Sequence, residues 1–167
     1  MRTFFLPLAV MLLASACAQA ADTVNFRGDI VQTCTLSMNS TPLVVDLGKY
    51  PTSFFSKSGT ESPHKPFGIH ISGCPNSKIA LKWSGNVVSS YESLLAVDGA
   101  KGVGIIILDI NKNNIYSFTQ PPGENMFTQT SSLGVLDFQL AAYYYSYENS
   151  VTAGPANASV TVEVIYG

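Results

Sequence analysis

Two histidines, three cysteines and eleven carboxylates are the side chains of this 167-residue chain best suited to act as a catalytic base, a thiol nucleophile or a metal ligand. Nucleophilic catalysis needs a hydroxyl or thiol beside a base, and acid–base catalysis needs an ionisable group held near its target. His64 sits in the proline-bounded stretch "SPHKP", and His70 alternates with Ile69 and Ile71, which turns it towards solvent on a strand. Neither lies near a GxSxG motif or a free thiol in the sequence, and Asp98, Asp109, Asp137 and the glutamates are scattered as solvated loop or strand-edge charges. No catalytic set is therefore expected. Two histidines with two cysteines expected to be bonded together also make a poor metal site, so neither metal nor cofactor is expected. The run "YYYSY" at Tyr143 to Tyr147 has the chemistry of a sugar-stacking platform. At a strand end such a run more often packs into a core or hydrogen-bonds along an edge.

The cysteines become intelligible once the N-terminus is read. Arg2 followed by "FFLPLAVMLLA" and the small-residue site "AQA" has the layout of a secretory signal peptide over residues 1–20. Its apolar run is too short to span a bilayer. The rival reading makes Cys17 the acylated residue of a lipoprotein, but Ala14 stands where such signals prefer Leu. Removal of the first 20 residues leaves 147, enough for one domain with its own core. Cys34 and Cys74 are then the one possible intrachain pair, and an oxidising compartment would join them. Closing 40 residues of chain contributes about 4 kcal/mol through loop entropy. The loss of Arg2 leaves eight basic against eleven acidic residues, a net charge of −3. With no basic patch, nucleic acid is excluded as a partner.

The elements that carry these residues read as strands. "LVVDLG", "FGIHISGC", "KIALKWSG", "GVGIIILDI" and "LDFQLAAYYY" are rich in Val, Ile, Tyr and Phe, and Gly, Pro, Asn and Ser cluster between them. Pro75-Asn76 and "NKNN" mark turns, while Pro51 to Lys65 and Thr119 to Ser132 read as surface loops. No mature segment shows a 3.6-residue apolar stripe, so the fold class is all-β, a sandwich.

The two ends of the mature chain are the informative part. In "GPANASVTVEVIYG" the even positions Ala156 to Tyr166 are apolar and the odd ones polar up to Ile165, a strict two-residue period. At the other end Val24, Phe26, Gly28 and Ile30 alternate with Thr23, Asn25, Arg27 and Asp29. A glycine on that apolar face wastes a packing position unless another group approaches closely there. A terminal amphipathic strand with nothing after it presents an open hydrogen-bonding edge.

Several of these pieces together resemble the subunits of chaperone–usher pili of the type 1 fimbrial class. They are "VNFRGDIVQTC", Leu47-Gly48, "FGIHISGC" with the second cysteine, "GVGIIILD", Gly154 fourteenth from the end and Tyr166 next to last. The resemblance implies an incomplete immunoglobulin-like β-sandwich of six strands whose seventh is supplied in trans. It implies a non-enzymatic structural subunit of an adhesive fimbria, exported through the periplasm to the cell surface and polymerised head to tail by donor-strand exchange. Residues 21–33 would be the donor extension merging into the first strand, with Val24, Phe26, Gly28 and Ile30 as its inserting face. Residues 34–167 would form the pilin domain, with Gly154, Val160, Val162, Val164 and Tyr166 at the acceptor groove and its chaperone- and usher-contacting last strand. The implied partners are a periplasmic chaperone, an outer-membrane usher and neighbouring subunits, and no host receptor is expected to be bound directly. The alternative is a fimbrial adhesin or a secreted carbohydrate-binding β-sandwich, although 147 residues leave no room for a separate receptor domain.

Overall fold

The computed structural model describes Arg27, residues 34–38 and residues 43–167. The expected signal peptide and the donor face Val24, Phe26, Gly28 and Ile30 lie outside the described residues. Nine strands occur among them: β1 (Thr35–Ser37), β2 (Lys65–Ser72), β3 (Lys78–Gly85), β4 (Leu95–Ala96), β5 (Val103–Asp109), β6 (Asn114–Ile115), β7 (Thr128–Gln129), β8 (Leu136–Ser146) and β9 (Val160–Tyr166). One sheet runs β1-β2-β8-β5-β4 with β6 added to β5, the other β7-β3-β9, and every pairing is antiparallel. The long strands fall where β-branched and aromatic residues run together. The two-residue strands β4, β6 and β7 are too short to leave a periodic signal in the sequence.

The core lies between the two sheets. Ile69, Ile71, Ile79, Leu81, Leu95 and Leu140 are its largest fully buried aliphatic side chains. β8 is the central strand of its sheet, held by β2 on one edge and β5 on the other. Its tyrosines serve both faces. Tyr144 packs into the main core, while Tyr143 joins Leu94 and Ile106 in a small second cluster. The "YYYSY" run is thus largely interior, with Tyr145 and Tyr147 half-buried at its end. Burial pushes the phenol of Tyr143 up to about 12, with Glu61 and Tyr145 adding to the effect.

Two expectations change here. "LVVDLG" forms no ladder strand among the described residues, although Leu47 is buried, Val45 half-buried and Val44 exposed, the alternation of a strand. Asp109 is buried rather than solvated. Its carboxylate accepts hydrogen bonds from the Lys112 amide at 3.0 Å and the Tyr116 hydroxyl at 3.3 Å, which closes the turn after β5. Beside it the Lys112 ammonium donates to the carbonyls of Asn125, Met126 and Phe127 at 3.2, 2.6 and 2.8 Å. This ties the turn to the 124–127 segment.

Candidate functional site

The last strand is held on one side. β9 pairs antiparallel with β3 from Val160↔Gly85 to Tyr166↔Ile79, and the Gly167 amide donates to the Lys78 carbonyl at 2.9 Å. Lys82 and Glu163 face each other across that ladder at 3.4 Å on the outer surface. Among the described residues no strand pairs with the other edge of β9. Val160, Val162 and Val164 turn inward and touch the main core, yet all three stay only half-buried. Each leaves apolar surface in water that a further strand on that edge would remove, at roughly 25 cal/mol per Å².

The segment 43–50 lines the same core with Val45, Leu47 and Tyr50, and it too has no ladder partner among the described residues. Two contacts place Cys34 and Tyr50 relative to β9. At one end the Cys34 amide donates to the Tyr166 hydroxyl at 2.7 Å. At the other, Tyr50 packs edge-on against Tyr144 at 6.1 Å, and the Tyr144 hydroxyl donates to the Ala156 carbonyl at 2.9 Å, just before β9. Cys34 therefore lies beside the end of β9, and Tyr50 lies near its beginning. The seven residues of β9 between those ties extend about 23 Å. Burial, with Asp46 and Tyr50 nearby, raises the pKa of the Tyr144 phenol, so it stays a neutral donor.

The Cys34–Cys74 disulfide spans a Cα separation of 5.1 Å, inside the ordinary range, and Cys74 is fully buried. It fastens the start of the 34–50 wall to the turn between β2 and β3. Gly154 does not lie on β9. It sits in the preceding connection, packed on the backbone of Gly99 and Ala100, and the Ala100 amide donates to the Pro155 carbonyl at 3.0 Å. Of the expected groove residues, Val160, Val162, Val164 and Tyr166 share one strand, and Gly154 positions its approach. Val45 and Leu47 escaped sequence reading as site residues. Their alternation is visible, but nothing in it shows that no described strand pairs with them.

The histidines play peripheral parts. His64 stacks on Tyr143 at 3.9 Å and faces Glu61 at 3.1 Å. His70 is exposed and meets Asp137 at 2.6 Å across β2 and β8. No cluster of three or more His, Cys, Asp or Glu side chains able to hold a metal ion occurs among the described residues.

This geometry defines an incomplete immunoglobulin-like β-sandwich, with one seam of its core left open among the described residues. The chain belongs to the fimbrial protein family, whose family model matches residues 24–167. It is 32% identical to the type-1 fimbrial protein subunit of Serratia marcescens, with 99% of each chain covered. It is 31% identical to the fimbrial-like protein SfmA of Escherichia coli (strain K12), covering 95% and 94%. The fold matches the P pilus rod subunit PapA with a TM-score of 0.67 at 18% identity, covering 80% of this chain and 99% of that one. It also matches a chaperone–usher pilus with a TM-score of 0.65 at 19% identity, covering 92% and 100%. The protein is a structural subunit of a surface fimbrium.

Proposed function

We propose that the seam between β9 and residues 43–50 is the acceptor groove for an extended segment of a neighbouring copy, residues 21–33, with Val24, Phe26 and Ile30 entering the core and Gly28 at a point of close approach. The observation that carries this is the half-buried inner face of β9, Val160, Val162 and Val164, on an edge that no described strand pairs. An added strand gains ladder hydrogen bonds from the backbone, and the alternation of its side chains sets the register. Each large apolar side chain of the donor contributes about 1.5–3 kcal/mol on full burial. Donor and acceptor are different surfaces, so the contact is heterologous and repeats into an open polymer. During passage through the periplasm the same edge is covered by a chaperone strand, which an usher exchanges for the next subunit. The charges and side chains present support a structural role without catalysis.

The test is deletion of residues 21–31. The shortened subunit should still be protected by its chaperone and still accept a donor peptide, yet it should fail to join a neighbour's groove. Fibres growing at the normal rate from the shortened subunit would overturn the reading.

A further inference from the structure

We infer that the Tyr166 hydroxyl links occupation of the β9 edge to the backbone from which the subunit's own N-terminal segment departs. The inference rests on the acceptor reading above and adds a relay between the acceptor seam and the donor extension of one subunit.

Along β9 the inward positions are Val160, Val162 and Val164, and the next on the same face is Tyr166. Its ring is not absorbed by the core, being 48% exposed, and its hydroxyl accepts the Cys34 amide proton. Among the described residues this is the one hydrogen bond between β9 and the 34–50 wall. Its two ends are unequally anchored. Cys34 is tied covalently to Cys74, whose amide in turn donates to the Gly134 carbonyl at 3.1 Å. Among the described residues, Tyr166 sits on a strand with one ladder and a half-wetted inner face. Its position is therefore governed by how well β9 is held. A strand seated on the free edge pins β9 from both sides and keeps the phenol in reach of Cys34. With the edge empty, β9 is held from the β3 side, and its unpaired edge, where the phenol reaches Cys34, has the lower local stability.

Cys34 follows directly on residues 21–33. The amide that Tyr166 holds is therefore the junction between the domain and the segment offered to the next subunit. A filled seam fixes that junction and an empty one releases it. The two sites are distinct, and the two states differ by one contact, which is what coupling requires. A net hydrogen bond of this kind sets the scale at about 2- to 10-fold in the protection of the Cys34 amide.

Amide hydrogen exchange on the full chain, read at residues 34–38, tests this with and without an excess of a synthetic peptide copying residues 21–33. In the wild type the peptide should slow exchange at Cys34 about 2- to 10-fold. In Tyr166→Phe, which keeps the ring, peptide added to saturation of the variant's own groove should leave Cys34 exchange unchanged. Equal slowing in both proteins, or a wild-type Cys34 amide that ignores a bound peptide, overturns the relay while sparing the acceptor seam. Failure of the peptide to bind the wild type overturns the seam itself. The wild-type comparison stands alone if the variant proves unstable.

Discussion

Gly154 was read from the sequence as part of the groove, and its surroundings make a sharper prediction about stability. A Cβ added there would lie 2.7 Å from the Ala100 nitrogen and 2.9 Å from the Gly99 carbonyl carbon, both backbone atoms. Flexible side chains could yield at such distances, but here a peptide must move. The nearest bond to suffer is the one from the Ala100 amide to the Pro155 carbonyl, at 3.0 Å. Overpacking of this sort costs about 1–3 kcal/mol. Loss of the hydrogen bond adds about 0.5–1.5 kcal/mol. Alanine returns about 0.4–1 kcal/mol by stiffening the unfolded chain. Gly154→Ala should thus destabilise by about 0.5–4 kcal/mol, with about 2 kcal/mol at the centre of that range, which at about 3 °C per kcal/mol lowers Tm by roughly 6 °C. Gly68→Ala is the internal control. Its added Cβ would meet nothing nearer than the Phe138 carbonyl oxygen at 3.6 Å, an ordinary contact, and alanine suits a strand interior better by about 0.5–1 kcal/mol. Thermal unfolding of the oxidised, peptide-complemented proteins by circular dichroism measures both. Should Gly154→Ala melt with the wild type, or Gly68→Ala fall as far as it does, the steric argument is refuted.

Replacing both Cys34 and Cys74 by Ala should cost about 4 kcal/mol in urea unfolding, and the unreduced, denatured wild type should show no reactive thiol from this pair. Tyr143, Tyr144 and Tyr116 all hold their protons more tightly in the folded protein than in the unfolded chain. Above pH 10 the unfolded state loses phenol protons that the folded state keeps, so stability should be intact below pH 10 and fall from there towards pH 12, as urea midpoints at each pH would show. Trp83 is buried with no partner for its indole nitrogen among the described residues, so Trp83→Phe removes an unsatisfied donor worth about 1–3 kcal/mol along with some packing. Its net effect on Tm should be far smaller than the 3–5 kcal/mol typical of truncating a buried aromatic to Ala. Lys112→Met removes the donor to three carbonyls and should loosen the 124–127 segment, seen as faster amide exchange there with the β8 ladder unchanged.

The strand framework was legible because each long strand carries its own signal. "KIALKWSG" became β3 residue for residue, and "LDFQLAAYYY" became β8 with one residue added. Asn76 and Asn113 take positive φ in turns that the sequence marked by composition alone. The site was only half legible. The period of β9 showed which of its faces is apolar, but an unpaired edge is a property of topology, and no local pattern encodes it. The second wall was missed for the same reason. Residues 43–48 alternate as a strand does, yet no described strand pairs with them. Asp109 was misread because a carboxylate in a turn-rich stretch looks solvated until the fold brings Tyr116 and Lys112 over it. The terminal strand was also read too long. Its alternation begins at Ala156, but the ladder starts at Val160, since residues 154–157 answer to the 98–100 loop instead.

The bridge from Cys34 to Cys74 bears on how a filament of such units carries load. A pull on the N-terminal segment arrives at Cys34, ahead of β1, whose three residues alone would peel from β2 under modest tension. The sulfur link passes that force past β1 to the β2–β3 corner, into eight-residue strands strained along their length. Extension of single filaments before and after reduction would reveal it: reduced filaments should yield at lower force, and identical traces would show that tension takes another route.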